Sequence, residues 1–276
     1  MTATQHSNFP ITDDLAIVEV VERDAWADIY RAAPEVIRTG LGLHYERIDD
    51  GVLLVCKAVD HIQFNRFTAL GIQSPMRAEA LDKGIAGFAD AGVRNWIVHC
   101  PEAMLELGAL CANRGLTPHS RTWAKFLCGP NPVEADTMLD VREIGRDDAE
   151  FFGAAAAGGF GLPPVVGHWL SLLPGRNGWR CFVAFDGRNA VAAGALYCSG
   201  KAAWLGIGAT LPSHRRRGAQ SALLAARIRA AVKAGCTHLT TETGIPNAGE
   251  AGPSFKNIQA VGFQVVYRRL NSCLPT

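Results

Sequence analysis

Apolar positions along this chain recur with two periods, and the period changes often. Residues 204–210 form a short apolar run with turn residues behind it, which fits a buried strand. Leu223, Leu224, Ile228 and Val232 then recur at helical spacing. Residues 237–243 are β-branched enough to be the next strand. Pro212 ends the first strand because it has no N–H to pair, and Gly235 closes the helix where a left-handed residue is cheapest. Strand, loop, helix, strand is the predicted order of this segment.

The rest of the chain is read around it. Residues 24–38 predict a helix capped by Asp24, with Pro34 kinking or dividing it. Residues 44–48 and 52–59 read as strands joined by a hairpin at Asp49-Asp50-Gly51, and 66–72 as a third strand. A helix over 76–91 ends at Gly92, a strand covers 94–100, a helix 102–113 and a strand 122–128. Beyond these, 138–144 reads as a strand, 147–157 as a helix ended by Gly158-Gly159, and 165–173 as a helix between Pro164 and Pro174. Three strands over 179–210 turn at Asp186-Gly187 and Ser199-Gly200. After the central segment come a glycine-rich connection (244–252), a helix near 254–261 and a strand over 263–270.

Two halves of this pattern look alike. Leu70-Gly71-Ile72, Ala91-Gly92-Val93 and Trp96-Ile97-Val98 correspond to Leu205-Gly206-Ile207, Ala234-Gly235-Cys236 and His238-Leu239-Thr240. Each half continues through a helix carrying a glycine, Gly115 or Gly262, into a final strand. From Leu70 to Ala91 the chain is eight residues shorter than from Leu205 to Ala234, and the missing piece corresponds to a basic loop. The expectation is a tandem repeat of one fold, divided at the turn-rich Gly129-Pro130-Asn131-Pro132 into 1–130 and 131–276.

Composition narrows the function classes. Of the 276 residues 48% are hydrophobic, which suits a globular core. The net charge of +1 provides no overall field for nucleic acid or a membrane surface, so neither is expected as a partner. No apolar run approaches the length of a membrane span, and the first residues lack the layout of a signal peptide. Eight cysteines with no C-x-x-C pair and no histidine at metal spacing predict neither a metal site nor a disulfide framework, and a reduced, cytoplasmic protein.

The candidate chemistry sits where the loop meets the helix. A helix N-terminus leaves its first N–H groups unpaired and carries partial positive charge. Gly218 and Ala219 keep side chains away from that backbone, and Arg215, Arg216 and Arg217 add three charges that bind phosphate oxygens in a planar fork. Read blandly, this is a solvated basic turn capping an amphipathic helix; read functionally, it takes a phosphorylated ligand. A nucleotide P-loop is disfavoured because the Gly-Lys-Ser/Thr ending is missing.

The stretch P-S-H-R-R-R-G followed by A-Q-S-A-L-L resembles the acetyl-coenzyme A loop of the GNAT acyltransferases, whose pattern is Arg/Gln-x-x-Gly-x-Gly/Ala. Arg215, Gly218 and Gln220 fall on its fixed places; Gln220 stands where Gly or Ala is usual, and Arg216 where a small residue is common. The resemblance implies an α/β fold, a mixed and mostly antiparallel sheet flanked by helices, in two tandem copies, the first lacking the cofactor loop. It implies an acetyl-CoA-dependent N-acetyltransferase acting by direct transfer on a small-molecule or peptide amine. A non-catalytic acyl-CoA-binding regulatory module is the alternative.

The same resemblance assigns residues. The pantetheine arm would pair with backbone around Ala209, Thr210 and Leu211, and the diphosphate would rest on N–H groups from Arg216 through Arg217, Gly218, Ala219 and Gln220 to Ser221. Asn257 would flank the arm, or else is a polar residue on a surface turn of helix. Glu242 is the candidate base or substrate anchor, or an exposed strand-end carboxylate. A tyrosine common in the family four residues before the Gly-Phe pair is Ile258 here, and Tyr267 beyond the pair reads as a packed aromatic, so no acid is named. His214 reads as a solvent or phosphate contact. His168 and Trp169 fall in a region that often lines the acceptor pocket, with Trp169 also readable as core, and the connection 244–252 borders the same cleft.

Overall fold

The computed structural model describes residues 12–245 and 252–275. Thr12 starts the first helix, its hydroxyl accepting the Leu15 N–H at 3.3 Å, with Asp13 and Asp14 at the positive end of the helix. This helix, α1 (Asp13–Ala32), begins well before the expected cap at Asp24, which lies mid-helix and pairs with Arg23. Its early turns carry buried Glu19, Glu22 and Arg23, whose charges interrupt the apolar stripe. Pro34 divides rather than kinks, since it is the N-cap of α2 (Glu35–Leu41).

The first half continues with β1 (Leu43–Ile48), β2 (Gly51–Cys56), β3 (Arg66–Thr68), α3 (Ala78–Ala91), β4 (Ile97–Pro101), α4 (Leu105–Asn113), the two-residue β5 (Thr117–Pro118) and β6 (Thr122–Cys128). The second has β7 (Asp140–Ile144), α5 (Ala149–Phe160), α6 (Pro164–Leu170), β8 (Trp179–Asp186), β9 (Asn189–Ser199) and β10 (Ala202–Thr210). It closes with α7 (Ala219–Lys233), β11 (His238–Ile245), α8 (Pro253–Ala260) and β12 (Gln264–Cys273).

Two expectations fail for local reasons. The strand expected to reach residue 72 stops at Thr68, because Ala69 (φ 57°) and Gly71 (φ 76°) turn the chain and the buried Asp50 carboxylate takes the N–H groups of Gly71, Gln73 and Ser74. Gly158-Gly159 does not end α5, which runs on to Phe160 and stops at left-handed Gly161 (φ 70°). Those two glycines let the helix approach β10: a Cβ on Gly159 would lie 2.7 Å from Ala209 Cβ and 2.8 Å from the Thr210 nitrogen.

All twelve strands belong to one sheet, in the order β1-β2-β3-β4-β12-β6-β11-β10-β9-β8-β7, with β5 paired to β12 off this path. Only β3·β4 and β10·β11 run parallel among the described pairs, one in each half. At the centre the halves exchange their last strands. The first half's β6 pairs with β11 of the second, and the second half's β12 pairs with β4 of the first. The repeat shows in the helix ends too. Gly92, Gly115, Gly235 and Gly262 are all left-handed, and the next residue's N–H returns to the last turn in each case (Val93 to Phe88, Leu116 to Cys111, Cys236 to Ala231, Phe263 to Ile258). The Leu-Gly-Ile match is not equivalent, since Leu70 follows β3 whereas Leu205 lies inside β10.

Helix α1 lies across the exchanged strands, and its buried acids meet cations that the strands supply. Glu22 accepts from Arg269 Nη1 at 2.8 Å and Nη2 at 2.9 Å and also pairs with Lys125 and Arg66. Glu19 accepts from the Tyr267 hydroxyl at 2.6 Å and from Arg269 at 3.4 Å. Burial alone would raise the Glu22 carboxyl, but Arg269 and Lys125 outweigh it and hold it well below the usual range. No described helix is long and apolar enough to cross a membrane.

Candidate active site

β10 ends at Thr210, and the Leu211 N–H returns to Val191 O at 2.9 Å, fixing where the chain leaves the sheet. A single turn of tighter helix over Pro212–His214 follows. Arg216 (φ 64°) and Gly218 (φ 79°) are both left-handed, a conformation that costs a non-glycine residue about 1 kcal/mol or more. Gly218 is also required sterically, since a Cβ there would come 2.6 Å from Asp136 O. No side chain caps α7 at Gly218, so its first N–H groups remain available and converge with the positive helix end.

These groups face a cleft of about 850 Å³. Ala209, Thr210, Arg215, Arg216, Gly218 and Ala219 line it. So do Gln220, Ser221 and Asn257, and the Asn257 amide donates to Gln220 Oε1 at 2.9 Å, linking α8 to α7. Leu211 and Arg217, expected beside them, do not line it. Arg217 turns away to pair with Asp186 at 2.7 Å, and its carbonyl accepts from Thr137 Oγ1 at 2.9 Å. Leu211 packs into the apolar layer beneath α7. His214 lines the cleft, with Nε2 3.4 Å from Asp186. The Arg217 hydrogen bond holds the Asp186 carboxyl below its ordinary range.

The first half has a hairpin acid at the corresponding place. Asp49 of its hairpin pairs with Arg77 at the start of α3, as Asp186 pairs with Arg217. Asp50, however, places its own carboxylate on the backbone N–H groups of Gly71, Gln73 and Ser74. Those N–H groups belong to the turn that follows β3; the start of α3, like that of α7, has no side-chain cap.

Beyond Trp204 and Thr240, the last paired residues of β10 and β11, the two strands separate, and Thr241 Oγ1 donates across the opening to Leu205 O at 2.8 Å. Glu242 follows, half-buried. Its Oε2 accepts from Trp204 Nε1 at 2.9 Å and from Lys125 Nζ at 3.0 Å, and no protein group among the described residues bonds Oε1. It is therefore not an exposed strand-end carboxylate. Ile258 is buried in the core where the tyrosine was sought, and Tyr267 is held by Glu19, with burial pushing its hydroxyl well above the ordinary range. Trp169 is fully buried, donating to Ile29 O at 2.9 Å and meeting Tyr30 edge-on at 5.0 Å, whereas His168 is exposed. The acceptor-pocket expectation for Trp169 gives way to core packing. Most of the 244–252 connection, residues 246–251, lies outside the described residues.

Several lining groups went unread in the sequence. Gly159 and Phe160 come from the end of α5, Gly208 from β10, and Arg227 from the buried face of α7. Arg227 had a signal, an arginine one residue before Ile228 and four after Leu223 on an apolar stripe.

No family model matches the chain, and no curated protein matches it. Solved structures do. A GCN5-related N-acetyltransferase from Kribbella flavida is 17% identical with a TM-score of 0.61, over 91% of this chain and 95% of that one. Another from Sphaerobacter thermophilus is 15% identical at 0.60, over 95% and 93%. A tandem GNAT protein from the clavulanic acid biosynthesis pathway is 12% identical at 0.58, over 96% of each. The chain has the GNAT fold in tandem form.

Proposed function

We propose that this chain is an acyltransferase that moves an acetyl group from acetyl-CoA to an amine by direct transfer. The observation that carries the reading is the uncapped N-terminus of α7, beside Arg215 and Arg216, opening into the cleft at the end of β10. The diphosphate would take the backbone N–H groups of residues 216–221, the pantetheine arm would follow Ala209 and Thr210, and Asn257 and Gln220 would close the far wall. Free thiols suit a reducing compartment, taken here as the cytoplasm.

In the reaction the amine nitrogen attacks the thioester carbon, the C–S bond breaks with its electron pair going to sulfur, and the amine gives up a proton. Glu242 is proposed to receive that proton on Oε1, with Trp204 and Lys125 holding the carboxylate in place. Water would protonate the departing thiolate, since the tyrosine position is Ile258. The buried Tyr267 and the Lys125–Glu242 pair also favour a second reading, a module that binds acyl-CoA without turnover.

Melting the protein with acetyl-CoA, and with free adenine nucleotides as controls, tests the cofactor site. Saturation at about 100-fold over Kd stabilises the native state by about 2.7 kcal/mol. Arg215→Glu with Gly218→Trp should abolish that shift. Thiol release on screening amines would support transfer, and binding without release from any amine would favour the second reading. No shift with acetyl-CoA would overturn both.

A further inference from the structure

Five lysine and arginine side chains are buried among the described residues, and four have a carboxylate partner. Arg23 pairs with Asp24 and Arg66 with Glu22; Lys125 and Arg269 also pair with Glu22. Arg227, 2% exposed, has none. Its Nε donates to Leu223 O at 3.0 Å, and its Nη1 to Ala195 O at 3.3 Å and Gly206 O at 3.1 Å. No protein group among the described residues accepts from Nη2, which lies 3.7 Å from where a Cβ on Gly208 would stand. Burial lowers the guanidinium to about 10, so it stays charged at neutral pH. Buried charges are normally paired, because leaving water is costly.

The unpaired cation is also the one of these five that lines the cleft, and no Asp or Glu lines the cleft among the described residues. Two features make room for it. β10 bulges between Gly206 and Ala209, and Gly194 opposite has no Cβ, which would otherwise stand 2.9 Å from the guanidinium carbon. Its anchor on Gly206 lies four residues before Thr210, about 13 Å along the strand. Arg215 and Arg216 hold the mouth at the start of α7, so the cleft is cationic at both ends.

We propose that the inner end accepts the free carboxylate of a dicarboxylic acyl group, so that the preferred donor is an acyl-coenzyme A of the succinyl type, with Arg227 as its anchor. This rests on the reading above of the cleft as a coenzyme A site, and replaces acetyl by a dicarboxylic acyl group as the preferred cargo. A diphosphate at the mouth and a carboxylate at the inner end would then each meet an arginine, and Arg227 would gain the anion its burial lacks.

Calorimetric titration of the full chain with CoA, acetyl-CoA and succinyl-CoA at one salt concentration decides it. A charge-assisted hydrogen bond predicts succinyl-CoA binding about tenfold or more tighter than acetyl-CoA. Arg227→Met should bring that ratio close to one while keeping the affinity for CoA. Equal affinity of the unaltered protein for the two thioesters overturns the inference alone, including the case where an acceptor carboxylate sits at Arg227. Failure of all three to bind overturns the cofactor reading and the inference with it. The comparison in the unaltered protein stands even if the variant does not fold.

Discussion

Gly158 and Gly159 allow a matched pair of substitutions to test how α5 is set against the cofactor strand. Both lie in the last turn of α5, and replacing glycine by alanine within a helix gains about 1 kcal/mol. Their surroundings differ. A Cβ on Gly158 meets the end of the Leu211 side chain at 2.8 Å, which can rotate away. On Gly159 it meets the Thr210 backbone nitrogen at 2.8 Å and the Ala209 carbonyl carbon at 3.1 Å, which cannot move without shifting β10. Overpacking of that kind costs about 1–3 kcal/mol. Gly158→Ala is thus expected to be neutral or slightly stabilising, and Gly159→Ala to lose up to about 2 kcal/mol, a fall of up to about 4 °C in Tm at this size. Thermal melts of both variants, with and without acetyl-CoA, provide the assay. Gly159→Ala should also shrink the acetyl-CoA shift, because Gly159, Ala209 and Thr210 line one cleft. Equal melting of the two variants would refute the close-approach argument.

Arg269→Met leaves Glu19 and Glu22 buried without their shared partner and should cost about 3–5 kcal/mol in chemical denaturation; a loss below about 1 kcal/mol would refute the ionic account. His99 faces Arg269 from β12, Arg66 from β3, Lys125 from β6 and Glu22 from α1, with Thr68 Oγ1 3.1 Å from its Nδ1. Burial first, then the arginines, hold its imidazole well below the ordinary range. The folded protein therefore keeps it neutral while the unfolded chain takes up a proton below about pH 6.5, so its contribution to stability falls as the pH drops from there. His99→Asn should flatten stability over that window, and an unchanged slope would count against the assignment.

Much of the fold was legible because local signals agree with it. Hairpin turns, glycine helix ends and the strand–loop–helix segment depend on neighbours a few residues away. The first turns of α1 were not, because the partners of Glu19 and Glu22 lie on distant strands, at Arg66, Lys125, Tyr267 and Arg269. Gly158-Gly159 read as a stop, since nothing in the sequence shows that β10 needs the room. Around the cleft, the loop residues could be read from charge and glycine placement. Arg217 could not, because its companions Arg215 and Arg216 look identical until Asp186 is in place. Glu242 was found as a carboxylate, but its ties to Trp204 and Lys125 required the assembled sheet.

The exchanged strands have a consequence for how the chain is made. β12 leaves the ribosome after everything it pairs with, so the first half waits, with the edge of β4 open, until residues 264–273 arrive. Severed near residue 130, the molecule would become two pieces, each carrying the strand that completes the other. The peptide link between them then serves chiefly to keep their effective concentration high.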